Sequence, residues 1–237
     1  MVNLADYSLI IFDKDGTLID FDYMWGHWVT ELARRLQNYT GLPVSAELFR
    51  AMGFDPVTER VLAEGKLAVT PMILLRALAV DMLEKLSLPS LLAEASVARA
   101  WFVPDPVALA RPFADLPHLF GQLRRHGLKI AVATTDDREP TAATLAGLGV
   151  SHFIDSLLCA DDHIPVKPAP DMILTICQRL NLPPARAIMV GDSIADMQMG
   201  RAAQAGLSLG VLSGVSSAEI LRPHADLLLP SIADLLP

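Results

Sequence analysis

The stretch Tyr7-Ser8-Leu9-Ile10-Ile11-Phe12-Asp13-Lys14-Asp15-Gly16-Thr17-Leu18 decides the fold. From Leu9 to Phe12 it is apolar and β-branched, and then it stops abruptly in charge and glycine. An apolar run with no alternation suits a short strand buried on both faces, in the middle of a parallel sheet. Asp13 and Asp15 are two residues apart, so they leave the end of that strand on the same side. In open α/β sheets ligands bind beyond the carboxyl ends of the strands, which is where this carboxylate pair falls. Gly16 permits a sharp turn or a close backbone approach to a bound group.

Similar runs recur outward from this one, at 128–133 and 187–190 and more weakly at 207–211 and 225–229. Helical patterns lie between them. Asp115 can cap a helix that carries Leu119, Leu123, Arg124 and Arg125 and closes at Gly127, and 171–181 and 194–205 have amphipathic spacing. This alternation predicts an α/β fold with a doubly wound, Rossmann-like parallel sheet. The intervening segment reads differently. Trp28, Leu32 and Leu36 stand at helical spacing, and helical patterns continue over 46–52, 56–64, 71–86 and 89–102, with no strand among them. The expected organisation is a core of 1–19 and 108–237, interrupted by an all-α cap domain over 20–107. Asp15-Gly16 punctuates the way out, and Pro104, Pro106 and Pro112 the way back.

Composition narrows the function classes. Of 237 residues, 52% are hydrophobic and 19% charged, which excludes a disordered chain. Twenty-seven acidic groups against 19 basic ones give a net charge of −8, the wrong sign for a general nucleic-acid binder. One phosphate needs only a few local cations, so a small phosphorylated ligand stays open. Cys159 and Cys177 alone make no disulfide scaffold, which points to a reducing cytoplasm. The first twelve residues lack a basic leader, so no signal peptide is expected. The most apolar longer stretch, 68–83, is broken by Arg76 and Asp81, so no membrane span is expected either.

Three more predicted strand ends carry chemical groups. Thr134 and Thr135 follow Ile130-Ala131-Val132-Ala133, offering a hydroxyl to an anion, although threonine is also common in strands. Lys167, one of only five lysines, stands between Val166 and Pro168, a cation in a rigid setting or an ordinary solvated lysine. Asp192 and Asp196 follow Ile188-Met189-Val190-Gly191. They can hold a hard divalent cation together, or Asp192 can be a helix N-cap and Asp196 a solvated acid of the first turn. Together the four sites make an inventory for phosphoryl transfer: nucleophile, acid/base, hydroxyl, cation and metal-binding carboxylates. Phosphate monoesters hydrolyse so slowly unaided that positioning and charge stabilisation must act jointly.

In order and spacing over essentially the whole chain, these motifs resemble the haloacid dehalogenase (HAD) superfamily, in its phosphatase branch and in the style of phosphoglycolate phosphatases. Phe12 to Leu18 matches motif one, Val132 to Thr135 motif two, Lys167-Pro168 motif three, and Gly191-Asp192-Ser193 with Asp196 motif four. The 121 residues from Asp13 to Thr134 leave room for a helical cap after motif one. The resemblance implies that Asp13 attacks phosphorus to form an aspartyl-phosphate, and that Asp15 protonates the leaving oxygen and then activates water. It implies Mg²⁺ held by Asp13, Asp192 and the Asp15 carbonyl. Thr134 and Lys167 would hold the phosphoryl oxygens with the amides of Gly16 and Thr135, while Thr17 and Asp196 support the site and the cap closes over substrate.

The implied partner is a small phosphorylated metabolite, with no nucleic acid and no membrane, and the chain a monomer or homodimer. Lys14 departs from the apolar residue of many relatives, and its side chain is expected to face the cap entrance and meet anionic substrate. A hexose-phosphate mutase of the same fold is the nearest alternative; Trp25 stands where such mutases place a histidine. A non-catalytic phosphate-binding or signalling protein is the alternative from another class, and the intact Asp13/Asp15 pair argues for an enzyme. Trp25, Arg50, Phe54, Arg60 and Trp101 are candidates to line the cap.

Overall fold

The sequence's first apolar run forms β1, Leu9–Phe12, with all four side chains fully buried. The structure is a computed structural model that describes residues 3–62, 65–70 and 72–236. It divides into two compact units: Met1–Asp20 with Pro106–Pro237, and Phe21–Asp105.

The second unit holds α1 (Phe21–Thr40), α2 (Ser45–Met52), β2 (Phe54–Asp55), β3 (Arg60–Val61), α3 (Lys66–Val69), α4 (Met72–Lys85) and α5 (Ser90–Ala100). Its core gathers Trp28, Leu32 and Leu36 from one face of α1 with Leu48, Leu83 and Val97. Trp28 is fully buried, packs edge-on against Trp101 at 5.2 Å and donates its indole N–H to the Phe102 carbonyl at 2.9 Å. Trp28→Ala is therefore expected to cost about 3–5 kcal/mol, read by circular dichroism as a lower urea midpoint. A loss below about 1 kcal/mol would mean that the surrounding rings collapse into the space.

The expected helix over 56–64 is not formed. Asp55 accepts the Val57 amide at 2.9 Å and the Thr58 hydroxyl at 2.8 Å, and Glu59 takes a φ of 55°. Such local side-chain bonds compete with helix and make a turn, so β2 and β3 pair as a short antiparallel ribbon. Ala63 and Glu64 of that expected helix, and Pro71 of the next, lie outside the described residues. Of the candidate cap-lining residues, Arg50 is paired with Glu47 and Arg60 with Asp22, while Phe54 packs on Phe49.

The other unit continues from β1 through α6 (Leu116–Arg125), β4 (Lys129–Ala133), α7 (Arg138–Gly147), β5 (Ile154–Leu158), α8 (Asp171–Leu180), β6 (Ala187–Gly191), α9 (Ile194–Ala202), β7 (Leu207–Val211), α10 (Ala218–Leu221) and β8 (Leu227–Leu229). The strands form one parallel sheet in the order β5-β4-β1-β6-β7-β8. Alternation along β1 sends Ile10 and Phe12 into a core with Phe120 and Leu123, and Leu9 and Ile11 into a second core with Met172 and Ile173. α6 begins as its sequence predicts, with the Asp115 carboxylate accepting the His118 amide at 3.0 Å. The order reverses beside β1, where β4 lies on one side and β6 on the other. That switch opens a crevice at the carboxyl ends of the strands. Among the described residues no helix is long and apolar enough to cross a membrane.

Candidate active site

The crevice is lined by the residues that end β1, β4 and β6. Asp13 follows β1 and donates its amide to the Val190 carbonyl of β6 at 2.9 Å, which fixes the backbone below its carboxylate. The buried Lys167 ammonium reaches across to Asp13 Oδ1 at 2.5 Å and Asp196 Oδ1 at 2.6 Å. Asp192, after β6, accepts the Val215 amide at 2.8 Å and the Thr17 hydroxyl at 3.4 Å. Gly16 lies beside it with φ 80°, where a Cβ would stand 2.5 Å from Asp192 Oδ2, so conformation and space both call for glycine.

The start of α9 separates the two readings of Asp192 and Asp196. Ser193 is the N-cap: its hydroxyl takes the Asp196 amide at 3.3 Å, and Asp196 Oδ2 accepts the Ser193 amide and hydroxyl at 3.1 and 2.6 Å. This reciprocal box leaves Asp192 free of capping. Asp196 is no solvated acid, being fully buried with its other oxygen on Lys167.

Ligand oxygens of Asp13, Asp192 and Asp196 all lie within 4.8 Å of one another. Three carboxylates around one ammonium carry an excess of negative charge that a divalent cation neutralises, and an all-oxygen set suits a hard one. The residues present therefore fit such an ion. Burial pushes the Asp13 carboxyl up to about 8, with Lys167 pulling the other way. Burial likewise takes Asp192 up to about 6, with Asp196 adding repulsion. Burial disfavours the Lys167 ammonium, but Asp13 and Asp196 outweigh it and hold the lysine above its ordinary value.

Asp15 sits apart from the clustered oxygens. Both its carboxylate oxygens lie 2.7 Å from the Lys14 ammonium, which also meets Asp136 Oδ2 at 2.9 Å. Lys14 is 2% exposed, which corrects the expectation that its side chain would face an entrance and meet substrate. Two carboxylates in the same crevice draw the ammonium inward. Burial raises the Asp15 carboxyl to about 7, opposed by Lys14.

Thr134 follows β4, buried, with its amide on the Leu158 carbonyl at 3.0 Å and its hydroxyl accepting the Asp136 amide at 3.2 Å. Thr135, next to it, is exposed. β1 and β4 pair Phe12 with Val132, so both threonines stand at the same carboxyl end of the sheet as Asp13. Sequence reasoning missed Asp136 and the loop after β7, where Ser213 donates to the Gly16 carbonyl at 2.8 Å and Val215 to Asp192. Ser213-Gly214-Val215 follows an apolar strand with the same punctuation as Asp15-Gly16, and that signal was available.

The family described as haloacid dehalogenase-like hydrolase matches residues 7–204. A validoxylamine A 7'-phosphate phosphatase from Streptomyces hygroscopicus is 29% identical over 230 residues, 96% of this chain and 95% of that one. A phosphoglycolate phosphatase from Aquifex aeolicus is 29% identical over 107 residues, 45% of this chain. The chain spans 50% of the length of that Aquifex relative. Among solved structures, a HAD family hydrolase from Deinococcus radiodurans, with bound phosphate and sodium, shares the fold at a TM-score of 0.68 and 20% identity. The match covers 98% of this chain and 94% of that one.

Proposed function

The chain belongs to the haloacid dehalogenase-like hydrolase family, and on that premise we propose that it is a Mg²⁺-dependent phosphatase of a small phosphorylated metabolite, working through an aspartyl-phosphate. One observation carries the reading: the Lys167 ammonium joins Asp13 to a buried carboxylate cluster, while a second carboxylate, Asp15, stands outside that cluster on the same loop. The two similar proteins named as phosphatases support it.

In this reading an oxygen of Asp13 bonds to phosphorus as the ester P–O bond breaks, and the Asp15 proton passes to the departing oxygen. The Asp15 carboxylate then takes a proton from water, whose oxygen attacks phosphorus, releasing phosphate and restoring Asp13. Thr134, Lys167 and the amides of Gly16 and Thr135 hold the phosphoryl oxygens. Asp196 aims Lys167 at Asp13, and Thr17 steadies Asp192. The side chains of Asp13 and Asp192 and the Asp15 carbonyl would hold Mg²⁺, with Asp196 behind them. When bound, the ion supplies the positive charge that lets an anionic carboxylate meet an anionic phosphate. Choice of substrate is assigned to the helical unit.

The first experiment is phosphate release from p-nitrophenyl phosphate with Mg²⁺ and with EDTA. Chelation is expected to cut turnover by about 10³-fold or more, and excess Mg²⁺ to restore it. Turnover that survives EDTA would sink the metal assignment. A panel of phosphorylated metabolites then seeks the substrate, and a sugar phosphate that isomerises without releasing phosphate would replace the phosphatase with a mutase.

A further inference from the structure

The contact that the sequence did not foresee has a consequence for catalysis. Resting on the reading of Asp15 as proton donor, we propose that Lys14 is a positioning residue whose buried ammonium, anchored by Asp136, holds the Asp15 carboxylate where it meets the leaving oxygen.

The ammonium grips both Asp15 oxygens at 2.7 Å, which fixes the direction of the carboxylate as well as its place. Both ends of the lysine are tied. Its carbonyl accepts the amides of Leu18 and Ile19 at 2.8 and 3.1 Å, fastening it to the loop after β1. At the other end lies Asp136, whose carboxylate is 2.9 Å away. The backbone of Asp136 is held in place, its amide bonded to the Thr134 hydroxyl and its carbonyl to the Ala160 amide at 2.9 Å. The chain Asp15–Lys14–Asp136 thus ties the loop after β1 to the loop after β4. A lysine buried to 2% exposure is rare unless paired, and here each partner carboxylate belongs to the crevice. A proton donor misplaced by about 1 Å loses about 100-fold in rate, so a brace of this kind has an effect that can be measured.

The test uses the Mg²⁺-loaded protein and compares kcat/KM on p-nitrophenyl phosphate with kcat/KM on an alkyl phosphate such as glycerol phosphate. A nitrophenolate leaves without a proton, whereas an alkoxide needs one. Lys14→Met is expected to lower kcat/KM by about 100-fold on the alkyl ester and under about 5-fold on the aryl ester. Lys14→Arg, which keeps the charge, should recover part of the loss. Asp15→Asn should show the same selectivity, larger, and adding Lys14→Met to it should change the selectivity no further. Mg²⁺ affinity by calorimetry should stay within about twofold, since the ammonium holds the Asp15 side chain and neither the Asp15 carbonyl nor the clustered carboxylates.

Equal losses on both esters, or weakened Mg²⁺ binding, would make Lys14 a structural ion pair and overturn the proposal. If Lys14→Met does not fold, Asp136→Asn carries the test by loosening only the anchor. It should give the same selectivity at smaller size, and unchanged selectivity there overturns the proposal equally. Wild-type protein that releases phosphate from neither ester and from no member of the metabolite panel removes the phosphatase reading itself, and the brace with it.

Discussion

Asp13→Asn is expected to lower phosphate release by about 10⁴-fold or more, the scale of removing the nucleophile from an enzyme with a covalent intermediate. The substitution is nearly isosteric, so it tests charge and nucleophilicity with little change of volume. An amide has no anionic oxygen to bond to phosphorus, and the loss should therefore be the same for good and poor leaving groups. That pattern separates Asp13 from Asp15, whose loss should fall hardest on alkyl esters. The fold should survive, because the Asp13 amide stays bonded to Val190 and Lys167 keeps Asp196 as partner. Mg²⁺ affinity should drop as well, since one of three clustered carboxylates loses its charge. Acid quench of the wild-type reaction should trap phosphate on the protein, and the variant should trap none. A variant with more than about 1% of wild-type turnover would mean that another group attacks phosphorus.

Legibility in the sequence followed the local physics. β1, β4 and β6 are buried on both faces, so they read as unbroken apolar runs, and the crevice at their ends was legible with them. β5 lies at the sheet edge and includes Asp155 and Ser156, which broke the run and hid it. Asp155 serves the edge by accepting the Ile130 amide at 2.8 Å, a long-range bond that no local pattern announces. The same limit applies within the site. Asp13, Lys167 and Asp192 stand out because each ends or interrupts a stiff apolar segment. The burial of Asp196 and Lys14 depends on partners as far away in sequence as Lys167 and Asp136. The 56–64 segment failed for the opposite reason: Asp55 made a local turn that outweighed helical spacing.

Lys167→Met is the second substitution with a large expected effect, and its signs point in two directions. The ammonium faces Asp13 and Asp196 from inside the buried cluster, so it is placed both to hold phosphoryl oxygens and to aim the nucleophile. Removing a charge that stabilises a developing anion in a water-poor site costs about 10²–10³-fold in turnover. Lys167→Arg should recover little, because a planar fork cannot replace a compact ammonium held between two carboxylates. Metal binding should move the other way. Lys167 competes with a cation for Asp13, and without it three carboxylates face one another unopposed. Mg²⁺ affinity measured by calorimetry is therefore expected to rise while turnover falls, and thermal stability to become more dependent on Mg²⁺ than in the wild type. Stripped of metal, the variant should be less stable by about 3–5 kcal/mol, as expected when one partner leaves a buried ion pair. Turnover and Mg²⁺ affinity that fall together would place Lys167 among the supports of the metal site and remove it from the phosphate.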